Sequence, residues 1–338
     1  MERFANLLVS VVGDPTDPVA LQRGVELARR VSARLTLIDV VEDPPWYVRL
    51  VVPESDRLLA AEMQSRGERL ASLAASVRDS VAEITTEVLR GRADLETVRQ
   101  VLRGGHDLVI KRADAADSGL FVTADMRLLR NCPCPVWLLR PTPRSRLFTR
   151  ILAAVDPTRE DWDPPAAARR DALNRKILDL ATALAAWEPA ELHVIHAWEP
   201  FGEGLCRRWG LGSDEVISEI IERMHAEAGR ALEQTVAPYL DQIGPAQLHL
   251  VRGDPGQVIP RFAAEEHVDL IVMGTVARTG IAGLIIGNTA ETILQRVTCS
   301  VLAVKPDGFV SPVTLESQGE PPRSNPLAPS RQTSAGSS

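Results

Sequence analysis

Several chemistries are missing from this chain. Cysteine is scarce, with only Cys132, Cys134, Cys206 and Cys299 in 338 residues. Cys132-Pro133-Cys134 has C-x-C spacing, not the C-x-x-C of redox and zinc sites, and no His/Cys group accompanies it. The cysteines therefore read as reduced, packed as small hydrophobes. An excess of basic residues is also missing. The formal net charge is -7 and the pI is near 5.5, which argues against a nucleic-acid partner, since phosphate backbones need a basic surface. No apolar run approaches the ~20 residues of a membrane span. The N-terminus has no basic flank, h-region or cleavage site of a secretion signal. Together these absences predict a cytoplasmic protein with no nucleic-acid or membrane partner.

The common catalytic signatures are absent too. No Gly-Lys-Ser/Thr ends a Walker A loop, and no Gly-x-Ser-x-Gly marks a serine nucleophile. His193 and His196 stand three apart on an apolar strand and so point to opposite faces. They cannot jointly hold a metal ion. His106 and His267 precede Asp107 and Asp269 at strand starts and read as turn residues. No catalytic or metal-ligating set is predicted.

What the chain does have is a copy of itself. His106-Asp107-Leu108-Val109-Ile110-Lys111 matches Val268-Asp269-Leu270-Ile271-Val272-Met273, and Cys134-Pro135-Val136-Trp137-Leu138-Leu139 matches Cys299-Ser300-Val301-Leu302-Ala303-Val304. The offsets are 162 (Asp107 to Asp269) and 165 (Cys134 to Cys299), the period of a duplicated domain. Each half repeats one order of elements. Strands are predicted at 6–12, 34–41, 84–89, 108–111 and 136–140, then at 150–155, 191–197, 247–251, 270–273 and 301–304. Helices are predicted between them, at 19–32, 56–79, 95–103 and 122–129, then at 168–187, 214–239, 257–266 and 289–295. Alternating strands and helices give an α/β fold with two tandem doubly wound, five-stranded parallel sheets. A ligand would lie beyond the carboxyl ends of the strands, at the switch point. The predicted domains are 1–142 and 147–310, joined by a Pro/Ser/Arg-rich linker. A Ser/Pro/Gly-rich segment, 311–338, reads as a disordered tail.

One segment combines strand, glycine loop and helix start: Asp269 to Met273, then Gly274 to Gly287, then Asn288-Thr289. This is how bare backbone N–H groups are presented to a phosphate, although glycine loops also serve as plain turns. Arg278, the loop's only cation, reads equally as a phosphate contact or a solvated surface residue. Trp198, Phe201, Trp209 and Leu211 follow the second strand of the second half. They read as a loop folded over the sheet, with an apolar pocket or a subunit contact as alternatives.

These segments resemble the universal stress protein family in its tandem form, whose domains have the adenine nucleotide alpha-hydrolase-like fold. The resemblance covers about residues 3–310. It is carried by Gly105–Lys111, Leu128–Trp137 and Gly274-Thr275 through Gly287-Asn288-Thr289-Ala290-Glu291. In nucleotide-binding members the loop reads Gly, two residues, Gly, nine residues, Gly, then Ser or Thr. Here Gly274 and Gly287 keep the spacing, Ala277 replaces the middle Gly, and Asn288 replaces the Ser or Thr. Alanine adds a methyl group where a phosphate would approach. Asn288 and Thr289 still supply an amide and a hydroxyl. The resemblance further implies that Asp156 bonds the adenine and ribose side, that the backbone of Val194 reads the adenine edge, and that Met273 precedes the loop.

The first half has Lys111-Arg112-Ala113-Asp114 through Leu120 in place of the loop, so no such site is expected there. Asp14-Pro15-Thr16 echoes Asp156-Pro157-Thr158 in an uncertain register. The expectation is a non-catalytic regulator with a degenerate ATP site in its second half. The two halves would pair as an internal pseudo-dimer through 136–139 and 301–304, and a homodimer of chains is left open. The rivals are a scaffold for an apolar small molecule or partner protein, and a slow ATPase or phosphotransferase.

Overall fold

The computed structural model describes residues 4–11, 19–45, 47, 51–52, 54–114, 121, 123–140, 148–158, 163–200, 213–244, 247–275 and 287–315. The first half contains β1 (Asn6–Ser10), α1 (Val19–Val31), β2 (Arg34–Val41), α2 (Ser55–Val77), β3 (Ile84–Arg90), α3 (Ala93–Gly104), β4 (Leu108–Arg112), α4 (Thr123–Asn131) and β5 (Val136–Leu139). The second repeats the order with β6 (Arg150–Ala154), α5 (Pro164–Trp187), β7 (Glu191–Trp198), α6 (Asp214–Val236), β8 (Leu248–Arg252), α7 (Pro255–Glu265), β9 (Leu270–Gly274), α8 (Asn288–Leu294) and β10 (Ser300–Val304). Among the described residues, no helix is long and apolar enough to cross a membrane.

The strands form one ten-stranded sheet in the order β3-β2-β1-β4-β5-β10-β9-β6-β7-β8. Each half is parallel within itself. The halves meet where β5 and β10 pair antiparallel, with Val136 opposite Ala303, Trp137 opposite Leu302 and Leu138 opposite Val301. The central strands are mostly apolar because both sheet faces are covered, with polar residues such as Asn6, Ser10, Lys111 and Ser300 at or near their ends. Leu7, Val9, Leu302 and Val304 enter the core under α1, α2, α5 and α6. Leu8, Leu138, Val301 and Ala303 enter the core under α3, α4, α7 and α8.

The duplicated aspartates do the same work in each half. Asp107 accepts from the N–H groups of Ala5 (2.6 Å) and Asn6 (3.1 Å), and Asp269 accepts from those of Thr149 (2.8 Å) and Arg150 (3.1 Å). Each pins the first strand of its half to the fourth. Across the seam, buried Arg23 on α1 forms an ion pair with buried Glu188 at the end of α5, and Glu188 also accepts from the N–H of Phe148. The Arg23 guanidinium lies 4.5 Å from the Phe148 ring centre. On the other face, Arg130 on α4 pairs with Glu291 on α8 at 3.0 Å.

Several local expectations needed adjustment. Helix α5 starts at Pro164, not at residue 168. Asp163 caps it by accepting from the Ala166 N–H at 3.1 Å, and proline at the first helical position has no N–H to satisfy. His267 is a turn residue with φ 51°. His106 is not: it is buried and bonded on both ring nitrogens. Cys132, Cys134 and Cys299 are free and buried, while Cys206 lies outside the described residues. Of the segment read as tail, residues 311–315 lie on the body. Ser311 donates to the Asn131 carbonyl at 2.7 Å, and Val313 packs against the core.

A cavity at the seam is lined by Leu27, Trp137, Leu184, Trp187 and Leu302. Its interior room is about 20 Å³, the space of roughly one water molecule. The buried indole N–H of Trp137 has no partner among the described residues.

Candidate functional site

The strand register determines which residues reach the carboxyl edge of the second half. Ala154 is level with Ile195 and with Met273, and Val304 is level with Gly274. Two residues beyond Ala154 lies Asp156, beside Thr275 and Ala197 on their own strands. Val194 lies one residue below the Ala154 level, fully buried, with β6 on one side and β8 on the other. It is in the middle of β7, whose carboxyl end is Ala197 and Trp198. Met273 is buried in the core under α7 and α8. The edge therefore gathers Asp156, Gly274, Gly287, Asn288 and Thr289, and leaves Val194 and Met273 beneath it.

Asp156 is held in place by α5. The Asn174 side chain accepts from the Asp156 N–H (3.0 Å) and donates to its carbonyl (2.8 Å). One Asp156 carboxylate oxygen accepts from the Thr158 hydroxyl at 2.6 Å and N–H at 3.3 Å. Arg170, one turn before Asn174, approaches the other carboxylate oxygen at 3.9 Å and donates to the Thr158 carbonyl. The carboxylate, 38% exposed, thus sits at the rim with a guanidinium beside it. Neither Asn174 nor Arg170 was singled out from sequence. The signal was a polar residue one turn apart from another on the buried side of an apolar helix.

Gly274 has a reason of its own to be glycine. A Cβ there would stand 2.7 Å from Leu173 Cδ2 and 3.7 Å from Ile177 Cδ1. Close packing of α5 on β9 explains it without any ligand. The loop that follows is closed at its neck. The Gly287 N–H donates to the Thr275 carbonyl at 3.1 Å, and the Thr275 N–H donates to Val304 at 3.2 Å. The Gly287 N–H is therefore already used. Asn288 and Thr289 are exposed beyond it, and Ala290 turns inward. Residues 276–286, including Ala277 and Arg278, lie outside the described residues, as do Phe201, Trp209 and Leu211.

The carboxyl edge of the first half differs. Lys111, at the Met273 position, is buried and bonded to Asp125 at 2.7 Å and to Asp114 at 2.6 Å. Asp125, at the Ala290 position, is fully buried and also accepts from the Asp114 N–H at 3.0 Å. Burial pushes the Asp125 carboxyl up and Lys111 pulls it down, with burial the larger influence. An ion pair occupies this edge, whereas the second half has a methionine and an alanine there. Residues 14–16 lie outside the described residues.

A model of the universal stress protein family matches residues 3–140 and again 148–305. The chain belongs to the universal stress protein family. Universal stress protein E of Escherichia coli (strain K12) is 27% identical over 324 residues, covering 94% of this chain and 99% of the relative. A crystal structure of a universal stress protein from Pseudomonas aeruginosa UCBPP-PA14 superposes with a TM-score of 0.63 at 26% identity, covering 90% of this chain and 95% of that one. A universal stress protein from Archaeoglobus fulgidus shares the fold at 15% identity, with a TM-score of 0.56 over 88% of this chain and 98% of that one. The tandem organisation read from the repeat is thus that of its relatives.

Proposed function

We propose that this universal stress protein is a non-catalytic, cytoplasmic regulator that binds one adenine nucleotide at the carboxyl edge of its second half. The asymmetry of the two edges is the observation that carries this reading. In the first half a buried Lys111–Asp125 pair puts charges beneath the corresponding edge. In the second, uncharged Met273 and Ala290 floor the edge, Asp156 is fixed by Asn174, and exposed Asn288 and Thr289 stand beside a closed loop neck.

The site is a weakened one. Ala277 and Asn288 depart from the family's binding loop, and the Gly287 N–H is spent on Thr275. Phosphoryl transfer needs a positioned base and metal-holding carboxylates. No residue from Gly274 to Gly287 is acidic, which favours binding over turnover. The apolar-ligand reading finds no support at the seam cavity, whose room suits a water molecule.

Calorimetric titration with ATP and magnesium is expected to give saturable, weak binding. Asp156→Ala removes a charged hydrogen-bond acceptor and should weaken it roughly tenfold or more, with the thermal midpoint of the variant checked separately. An affinity unchanged by Asp156→Ala would refute the placement of the nucleotide.

A further inference from the structure

The duplication allows one half to be read against the other away from the carboxyl edge. Arg34 and Glu191 occupy the same register, opposite Asn6 and Arg150 respectively. Thr36 therefore corresponds to His193. Ile38 is paired with Glu87 and Ile195 with His249, so Glu87 corresponds to His249. The turns after β3 and β8 place Gly91 and Gly253 at matching positive φ, 132° and 134°. Counting on from them, Gln100 corresponds to Phe262, and His106 to Val268.

In the second half three of these four positions hold rings packed on one another, and the fourth is Val268. His193 and His249 stack at 5.2 Å between centroids, with a 2.9 Å contact between ring nitrogens, and Phe262 lies 4.5 Å from His249. In the first half the same place is a polar cleft of about 270 Å³. The fold does not require that opening, because its own duplicate fills the position with side chains.

The cleft's hydrogen bonds have a direction. The His106 Nδ1 faces the Gln100 carbonyl at 3.2 Å, which can only accept, so Nδ1 carries the proton. Nε2 is then the acceptor, and the Thr36 hydroxyl donates to it at 3.1 Å. Thr36 in turn accepts from the Thr85 hydroxyl at 3.1 Å. The chain ends at the Thr85 oxygen, which has only lone pairs to offer. Beside it, the Glu87 carboxylate takes one hydrogen bond from Gln100 at 2.6 Å. Glu83 and Arg34 also line the cleft, and neither side chain has a partner among the described residues. Acceptors and carboxylates thus face the cleft together with one unpaired guanidinium.

We infer that this cleft is a second ligand site, which takes a small zwitterion carrying an ammonium group and a carboxylate, such as a free α-amino acid. The ammonium donates to Glu87, Glu83 and Thr85, and the carboxylate meets Arg34. The room lies just below the about 300 Å³ at which drug-sized sites begin, so the occupant is metabolite-sized. This inference is independent of the nucleotide site, from which it differs in half and in sheet edge.

The test is to titrate the full chain with each of the twenty common L-amino acids at millimolar concentration, with ethylamine and acetate as single-charge probes. Calorimetry and the His106 imidazole NMR signals are the readouts. Saturable binding of at least one amino acid that shifts the His106 signals is expected. Arg34→Ala and Glu87→Gln should each weaken it about tenfold. The triple change Thr36→His, Glu87→His and Gln100→Phe, which copies the second half, should abolish it. The two single changes lie at exposed positions and keep the test valid if the triple variant does not fold. The inference is overturned if no amino acid binds, if ethylamine or acetate binds as well as the zwitterions, or if both single variants bind as the parent does.

Discussion

Replacing Asp125 with alanine is expected to cost about 3 kcal/mol of folding stability, the lower end of the range for breaking a buried ion pair. The lower end applies because Asp114 continues to hold Lys111 at 2.6 Å. What is lost is the fully buried partner at 2.7 Å and the acceptor for the Asp114 N–H. The second half shows how the same position is satisfied without charge, with Met273 and Ala290. The double variant Lys111→Met/Asp125→Ala should therefore recover most of the loss, since a buried pair replaced by apolar groups of similar volume is often close to neutral. Urea unfolding of the parent, the single and the double variant measures both effects. A double variant as unstable as the single one would mean that the ion pair is not a simple plug for the first edge.

Lys305→Met is expected to act in the opposite direction and stabilise the protein by about 2 kcal/mol at neutral pH. Lys305 is 2% exposed at the carboxyl end of β10. Its ammonium has a long 3.4 Å bond to the Arg130 carbonyl and lies 4.4 Å from the Phe309 ring centre. Burial lowers its pKa from the ordinary 10.5 to about 8. The unfolded chain thus holds this proton more tightly than the folded one, and below about pH 8 the charge opposes folding. Such a shift corresponds to roughly 3 kcal/mol, less about 1 kcal/mol for the lost ring contact. Parent stability should rise as pH climbs from about 8 towards 10.5, where both states lose the proton. The advantage of the variant should shrink over that same window. An advantage that stays constant across it would show that Lys305 is not the titrating group.

The parts of this molecule that are legible in the sequence are those written locally. Buried runs such as Leu7-Leu8-Val9 and Leu270-Ile271-Val272 announce covered strands, and Asp107 and Asp269 mark the repeat and the start of each fourth strand. The seam followed from the likeness of residues 136–139 to 301–304 together with the family resemblance. Contacts that span distance were not legible. Lys111 and Asp125 lie 14 residues apart, and His193 and His249 lie 56 apart. Neither separation has a period that singles out the pair. The glycine loop was harder in a different way. Gly274 carries the family's motif, yet packing against Leu173 would require glycine there even with no nucleotide. Val194 lies one level below Ile195 in the middle of β7, and an apolar strand gives no internal sign of where its edge lies.

On the proposed function, two copies of one fold carry a single nucleotide site, in the second half. Calorimetric stoichiometry with ATP and magnesium on the full chain tests it most directly. The expected result is one nucleotide per chain, bound roughly tenfold or more weakly by Asp156→Ala and unchanged in Lys111→Met/Asp125→Ala. Two nucleotides per parent chain, or binding that follows the first-half variant and ignores Asp156, would contradict it.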